Sequence, residues 1–274
     1  MSYQEVFEHQ LVAISVSESP DMPALGLSDG HLRDAMAEIA RHLLALGARL
    51  VYGGDLRQHG FSELLFELIA RHRRDADEGD NRAGVTNFLA WPVHIMRSAV
   101  DLEATAAQLE GSANFICLRL DGTELPMDER RALAHQQPTE EEWSDGLSAM
   151  RQTMLAASGA RIVLGGGVDK FKGTIPGIAE EALLSFQGKQ PLYLMGGFGG
   201  CTRDIAETIG LLSPWAGSRA PWPGRTAFEA FSAADLNNGL TPEENAALAR
   251  TPHVDQAVTL ILRGLMRVGP TPNP

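Results

Sequence analysis

The sequence predicts a three-layer α/β fold with a mainly parallel sheet flanked by helices, and three observations support this prediction. Short apolar runs alternate along the chain with longer segments of helical periodicity. Most of the apolar runs are continuous rather than alternating, which is typical of strands that are covered on both faces. Several of the runs end in paired or tripled glycines that lead into a helix or a loop.

Six short apolar segments are predicted as buried parallel strands. The six predicted strands are 11–17, 48–54, 85–91, 113–120, 160–167 and 191–197. Because crossovers between parallel strands are right-handed, the intervening helices should cover both faces of the sheet. The strand–helix alternation therefore predicts a doubly wound sheet.

The helical segments between and after the strands carry recognisable ends. The first has Ser28 or Asp29 as its N-cap and Gly47 at its end. The segment 139–159 opens with a capping box formed by Thr139 and Glu142. Further helices are predicted over 62–72, from Pro176 as a first helical residue, after Thr202 as an N-cap, and over 241–249 and 254–268.

The remaining segments are predicted as surface structure rather than as linkers between domains. Charged residues dominate 73–83 and 121–140, which are predicted as loops, and 213–228 is rich in Pro, Gly and Trp and should be irregular. We expect residues 1–212 to form a ligand-binding domain. Residues 213–274 should form an irregular and helical extension of the same domain.

Composition excludes several classes of protein. A net charge of −12 argues against nucleic acid as a partner, because phosphates attract a basic surface. The absence of eighteen consecutive apolar residues and of signal-peptide features predicts a cytoplasmic protein without a membrane partner. The two cysteines provide no disulfide framework, and the eight histidines show no metal-ligand spacing. We expect no metal site and no required cofactor.

Glycine loops follow three of the predicted strands and should meet at one edge of the sheet. Gly53–Gly54, Gly165–Gly167 and Gly196–Gly200 each come directly after a strand. Open α/β sheets bind ligands at the carboxyl edge, where glycine backbones and helix N-termini approach phosphates closely. The spacing G-x-G-x-x-G is not met, because Thr202 takes the place of the last glycine, and no Walker A pattern is present. A nucleotide-like ligand is therefore predicted without the usual dehydrogenase or NTPase motif.

Candidate ligand-binding residues lie in and beside these loops. Ligand contacts, with the glycine backbone N–H groups holding the phosphates, are predicted for Gly53, Gly54, Gly165, Gly166, Gly167, Gly173, Thr174, Gly177, Gly197, Phe198, Gly199 and Gly200. Arg57, Lys172 and Arg203 are candidates to neutralise phosphate charge or are solvated surface charges. Lys170 and Lys172 are two of only three lysines, so this loop concentrates a rare residue type.

Other candidates have two interpretations each. Ser15 and Ser17 contact the ligand or cap a turn, and Asp55 holds a ribose or caps the next segment. Glu180 and Glu181 accept hydrogen bonds from ribose hydroxyls, act as an acid or base, or compensate the dipole at a helix start.

The order of these loops resembles the SLOG superfamily. The resemblance covers about residues 10–212 and rests on strand–"YGGD"–helix, strand–"GGG…GTIPGIAEEA" and strand–"PLYLMGGFGG". This superfamily of Rossmann-like domains includes DprA-like proteins, LOG-type cytokinin-activating enzymes, the N-terminal region of TRPM channels and nucleotide sensors of bacterial defence. In LOG enzymes a glutamate follows P-G-G-x-G-T, and Glu180 or Glu181 matches it here after the inserted "VDKFK".

The resemblance implies two main functions. The first is a sensor or signalling component that binds ADP-ribose, an NAD-derived molecule or a similar nucleotide, acts on a separate effector protein, and associates into a homodimer or larger oligomer. The second is a nucleotide N-glycosidase or phosphoribohydrolase in which Glu180 or Glu181 stabilises the oxocarbenium charge. The enzymes' upstream Pro-Arg-Asp motif has no counterpart, which favours the sensor. A scaffold subunit with a vestigial pocket is a third alternative.

Overall fold

One parallel sheet runs through the described part of the chain. The structure is a computed structural model and describes residues 5–8, 10–54, 56, 60–75, 84–111, 113–215 and 221–269. The strands are β1 (Leu11–Ser17), β2 (Arg49–Gly53), β3 (Val85–Leu89), β4 (Ala113–Cys117), β5 (Ala160–Gly165) and β6 (Leu192–Met195). Every neighbouring pair of these strands is parallel. The predicted fold, a three-layer Rossmann-like α/β domain, is confirmed.

The strand order places a topological switch beside β1. The order across the sheet is β4-β3-β2-β1-β5-β6, so the chain adds strands on one side of β1 and then crosses to the other side. The register pairs Ser15 with Val163 and Ser17 with Gly165, which brings the ends of β1 and β5 level. Helices diverge from each other at such a switch and leave a crevice at the carboxyl edge.

Helices occupy the segments between and after the strands. They are α1 (Asp29–Ala45), α2 (Phe61–Asp75), α3 (Trp91–His94), α4 (Ala99–Gln108), α5 (Met127–Ala132), α6 (Glu140–Ala156), α7 (Gly177–Gln187), α8 (Gly200–Thr208), α9 (Pro242–Arg250) and α10 (Val254–Val268). Short 3₁₀ turns cover Gly196–Phe198, Arg225–Ala230 and Ala233–Leu236. Among the described residues, no helix is long and apolar enough to cross a membrane.

The two faces of the sheet are covered by different helices because side chains alternate along each strand. Val12, Ile14 and Val16 of β1 pack into a core that includes residues of α1 and α10. Ala13 lies on the opposite face in a core with Met150 and Met154 of α6. Burial on both faces explains why the strands are continuous apolar runs.

Local end signals position several helices as predicted. Ser28 is the N-cap of α1, and Thr139 and Glu142 form the capping box of α6. The closing helices α9 and α10 match their predicted segments, and Leu248 and Ile261 from these helices are buried in the same core as β1. The extension after residue 212 is therefore packed against the sheet by its own apolar side chains.

Several predictions of local structure were wrong. Pro176 is the N-cap of α7 rather than its first helical residue. The predicted strands 160–167 and 191–197 end at Gly165 and Met195, where the glycine loops begin. Thr202 lies inside α8, whose N-cap is Gly199, because the chain already turns helical at Gly200. The predicted strand 85–91 ends at Leu89, since helix α3 begins at Trp91 with Pro92 in its first turn. The predicted strand 113–120 ends at Cys117. The chain then turns back on itself, and Leu118 forms an isolated antiparallel bridge with Glu124.

Another error concerns the predicted loop 121–140, which contains α5. This helix exists because its residue Arg130 is buried and hydrogen-bonded to the segment after β3. That contact joins parts of the chain far apart in sequence, so local composition gives no signal for it. The predicted loop 73–83 overlaps the end of α2, and residues 76–83 lie outside the described residues.

Candidate functional site

A cleft of about 1300 Å³ opens at the carboxyl edge of the sheet. Its wall begins at the ends of β1 and β2, continues through the segment after β3 and the inner side of α6, and closes with the loop after β5. The lining residues are Val16, Ser17, Glu18, Tyr52, Gly53, Gly54, Phe61, Val93, Met96, Arg97, Gln137, Trp143, Leu147, Met150, Asp169, Lys170 and Lys172. The cleft therefore lies beside the topological switch, where open α/β sheets bind ligands.

The cleft combines an apolar wall with charged groups. Val93, Met96, Trp143, Leu147 and Met150 provide apolar surface from α6 and from the segment after β3. The lining residues with charge that the structure describes are Glu18, Arg97, Asp169, Lys170 and Lys172. Their formal sum is one positive charge, in a chain whose net charge is −12. A ligand with an apolar ring and an anionic group matches this combination.

Trp143 and Lys172 are in contact at this cleft. The Nζ atom of Lys172 lies 3.1 Å from the centroid of the Trp143 ring, close enough for a cation–π interaction. Lys172 belongs to the loop between β5 and α7, and Lys170 in the same loop has a φ of +54°. A left-handed conformation is uncommon for a lysine, so the loop turns sharply at this residue.

Four of the predicted site residues line the cleft: Ser17, Gly53, Gly54 and Lys172. The Oγ atom of Ser17 accepts a hydrogen bond from the backbone N–H of Gly167 at 3.2 Å. A Cβ atom at Gly54 would lie 2.0 Å from the Oγ atom of Ser62, so packing alone requires a glycine there. The predicted residues Asp55 and Arg57 lie outside the described residues.

The glycines after β5 and β6 pack against each other. The N–H of Gly166 donates to the carbonyl of Ser17 at 3.0 Å, and the carbonyl of Gly166 accepts from the N–H of Cys201 at 3.1 Å. The N–H of Gly200, at the start of α8, donates to the carboxylate of Asp21 at 2.7 Å. A phosphate at this helix end would therefore have to displace Asp21.

The predicted residues Gly197, Phe198 and Gly199 of the last glycine loop are buried. Gly197 and Phe198 are buried, and a Cβ atom at Gly197 would lie 2.2 Å from the carbonyl oxygen of Thr251. Arg203 pairs with Glu207 of its own helix at 2.9 Å and lies over the Trp215 ring. The structure thus places the loop after β6 outside the lining of the cleft.

Glu180 and Glu181 belong to a buried ionic cluster at the start of α7. Glu181 is paired with Arg161 and accepts a hydrogen bond from Ser15, while Glu180 is paired with Arg151. The remaining predicted residues, Gly165, Gly173, Thr174 and Gly177, belong to β5, to the loop before α7 and to its first turn. Neither carboxylate lines the cleft.

Sequence reasoning missed both arginines of this cluster. Arg161 is completely buried on β5, and its Nε and Nη2 atoms have no hydrogen-bond partner among the described residues. Burial lowers the pKa of Arg161, and the charge of Glu181 opposes that change. A signal was present, because an arginine inside an otherwise apolar strand requires a buried acidic partner. Arg151 on α6 gave no comparable signal.

Arg130 and His94 form a second buried pair. It supports the part of the cleft wall that lies between β3 and α4. The Nε–H of Arg130 donates to His94 Nδ1 at 3.0 Å, and His94 Nε2 lies 2.8 Å from the carbonyl oxygen of Leu118. Burial is the main cause that lowers the pKa of His94 to about 4. Arg130 Nη2 also donates to the carbonyl of Arg97 at 2.7 Å. These bonds fix the segment that carries Val93, Met96 and Arg97 into the cleft.

Within the described part of the chain, no three His, Cys, Asp or Glu side chains are grouped so as to hold a metal ion. The donors that the cleft offers are instead ammonium, guanidinium, hydroxyl and backbone groups, which suit an organic anion.

Comparison with known proteins identifies one match. A family model described as SLOG cluster2 matches residues 6–248. The match includes all six strands, the cleft and the helix α8. A search among curated proteins finds no match to this chain.

Proposed function

The chain belongs to the SLOG cluster2 family, and we propose that its cleft binds a nucleotide-derived small molecule, such as ADP-ribose or an NAD-derived molecule, in a sensor or signalling role. The resemblance to the SLOG superfamily is thereby confirmed, whereas the ligand is our proposal. The observation that carries it is the pairing, in one cleft at the switch of the sheet, of an apolar wall with Trp143 and a loop with Lys170 and Lys172.

The dimensions and chemistry of the cleft support a nucleotide. A volume of about 1300 Å³ accommodates a ligand larger than a mononucleotide, because sites for drug-sized ligands occupy roughly 300–1000 Å³. The two lysines supply charge for phosphates, and Gly53 and Gly54, which are partly exposed at the cleft, lack side chains that would obstruct a ligand. The apolar wall supplies the surface that a base or nicotinamide ring would cover.

The ionic cluster favours binding over hydrolysis. Glu180 and Glu181 are ion-paired with arginines and are separated from the lining of the cleft. A carboxylate that stabilises an oxocarbenium charge must lie beside the reacting sugar. Cleavage of an N-glycosidic bond is therefore the second candidate function, after ligand binding. The experiment described next tests both.

The experiment measures binding of AMP, ADP-ribose and NAD by isothermal titration calorimetry. The test variant is Gly167→Val, because a Cβ atom at Gly167 would lie no closer than 3.8 Å to other residues and the position is next to the lining residues Ser17 and Asp169. The control is Gly30→Ala, on α1 and outside the lining of the cleft.

We expect at least one of the three nucleotides to bind to the wild type and to the control. We expect binding to Gly167→Val to fall tenfold or more, since the added side chain crowds the approach to the loop. The proposal is wrong if none of the nucleotides binds, or if Gly167→Val binds as tightly as the wild type. Release of free base, measured by chromatography after incubation, would instead support the glycosidase.

The proposal includes the setting in which the protein works. We propose that it acts in the cytoplasm, in bacterial defence or related signalling, as a homodimer or larger oligomer that passes the binding event to a separate effector. A mass near 29.5 kDa by light scattering would contradict the oligomer without contradicting the ligand site.

A further inference from the structure

A side chain of the protein itself covers the face of Trp143. The Lys172 ammonium lies 3.1 Å from the centre of the indole ring, and both residues line the cleft. The ring quadrupole attracts a cation at this position. The ring face that the ammonium covers is therefore on the side of the cleft.

Trp143 and Lys172 differ in how freely their side chains can move. Trp143 is partly buried in the first turns of α6, whose start is fixed by hydrogen bonds between Thr139 and Glu142. Lys172 is exposed and carries its ammonium on a flexible four-carbon stem. The ring is therefore a fixed platform, whereas the lysine can leave it without disturbing the fold.

The surroundings of the ring differ on its two sides. Leu147 and Met150 continue the apolar wall along α6, one and two turns beyond Trp143. Lys170 and Asp169 lie on the loop that carries Lys172. A ligand lying across the ring would thus have its apolar part against α6 and its anionic part toward the lysines.

We propose that Trp143 is the stacking platform for the base of the bound nucleotide, and that Lys172 exchanges the ring for the phosphate when the ligand enters. This inference rests on the proposed function. A flat base and an ammonium cannot occupy the same ring face. Stacking of a base on an aromatic ring exceeds an exposed cation–π contact in strength, and the displaced ammonium gains a charged phosphate partner. The exchange selects ligands that contain both a base and a phosphate.

The first experiment compares adenosine with AMP on Lys172→Met. Without the competing ammonium, adenosine should bind about two- to fivefold more tightly than it does to the wild type. AMP should bind about tenfold more weakly, because the phosphate loses its charged partner. Lys189→Met is the matched control, since this exposed lysine does not line the cleft and both affinities should stay unchanged. A change in the same direction for adenosine and AMP overturns the exchange.

The second experiment tests the platform itself. Trp143→Ala should weaken AMP about tenfold and leave ribose 5-phosphate, which has no base, unchanged. Trp143→Phe keeps a ring and should restore most of the loss. AMP should also quench the fluorescence of the wild type and of Trp91→Phe, but not that of Trp143→Phe. Trp91 is a suitable control because it is outside the lining of the cleft and its Nε1 atom has no hydrogen-bond partner among the described residues.

The outcomes separate this inference from the proposed function. If the wild type binds AMP and Trp143→Ala binds it equally well, the platform is wrong and the proposed ligand class stands. If the wild type binds none of AMP, ADP-ribose and NAD, both are wrong.

Discussion

Arg161 in the middle of β5 forms a buried ion pair with Glu181 in the early part of α7. Ser15 on the neighbouring strand β1 connects to both, since its Oγ atom accepts from Arg161 Nη1 at 2.8 Å and donates to Glu181. This pair fixes α7 against two adjacent strands. Because the loop with Lys170 and Lys172 runs from β5 to α7, the pair also fixes both ends of one wall of the cleft.

We expect Glu181→Met to lower the free energy of unfolding by about 3–5 kcal/mol, because it leaves a fully buried guanidinium without its closest acidic partner. The double variant Arg161→Met/Glu181→Met should recover much of that loss, since no isolated charge remains in the interior. Urea denaturation of Glu181→Met, Arg161→Met and the double variant measures the coupling energy between the two side chains. Additive losses would contradict a direct pair.

Stability should depend on pH through His94, whose pKa is about 4 in the folded chain against 6.5 for a free histidine. Above pH 6.5 the ring is neutral in both states and its full contribution is present. As the pH falls from 6.5 toward 4, the unfolded chain binds a proton that the folded chain does not, and stability declines. The loss should reach about 3 kcal/mol and then level off, since one pKa unit corresponds to ~1.4 kcal/mol.

Urea denaturation between pH 7.5 and about 3.5 checks this dependence. In His94→Gln the decline in this range should be smaller than in the wild type. In His135→Gln it should be unchanged, because His135 is exposed. An equal decline in the wild type and His94→Gln would assign the titration to other groups.

Asp21 should stabilise the start of α8. Its carboxylate accepts from the N–H of Gly200 at 2.7 Å, and the side chain is buried. Loss of a charged acceptor at a helix N-terminus costs about 1–2 kcal/mol, so Asp21→Ala should lower the unfolding free energy by that amount. Thermal and urea unfolding measure the loss. The exposed Asp34→Ala on α1 provides the comparison, and a loss of equal size there would exclude a specific role for Asp21.

Gly200 and Gly210 provide a test of packing between the loops after β5 and β6. Both have positive φ, +68° and +80°, so alanine at either position costs about 1–2 kcal/mol in backbone strain. At Gly200 a Cβ atom would also lie 2.3 Å from the carbonyl oxygen of Gly166, whereas at Gly210 it meets nothing within 4 Å. Gly200→Ala should therefore lower the melting temperature far more than Gly210→Ala. Equal effects would show that strain alone requires these glycines.

Much of the local structure follows from the sequence because its causes are local. Apolar runs gave the approximate positions of the strands from β1 to β6, and the Thr139–Glu142 capping box gave the start of α6. The errors arose where a distant contact decides the structure. Helix α5 depends on Arg130 reaching His94, thirty-six positions earlier in the chain.

The candidate site was predicted in part for the same reason. Ser17, Gly53, Gly54 and Lys172 line the cleft because parallel strands bring their following loops to one edge. Trp143 and Met150 were missed as lining residues, since periodicity identifies the buried side of α6 but not what that side faces. Asp21 was missed because its contact with Gly200 spans 179 positions.

The sequence by itself determined the alternation of strands and helices, the caps of α1 and α6, and the glycine loops at the strand ends, because each depends on a few neighbouring residues. Only the tertiary structure decided that β5 lies beside β1, and hence that Arg161 meets Ser15 and Glu181. It also decided that Lys172 covers Trp143. These contacts join residues whose side chains become neighbours only when the sheet is assembled and its helices are packed. No local sequence pattern encodes the order of the strands in the sheet.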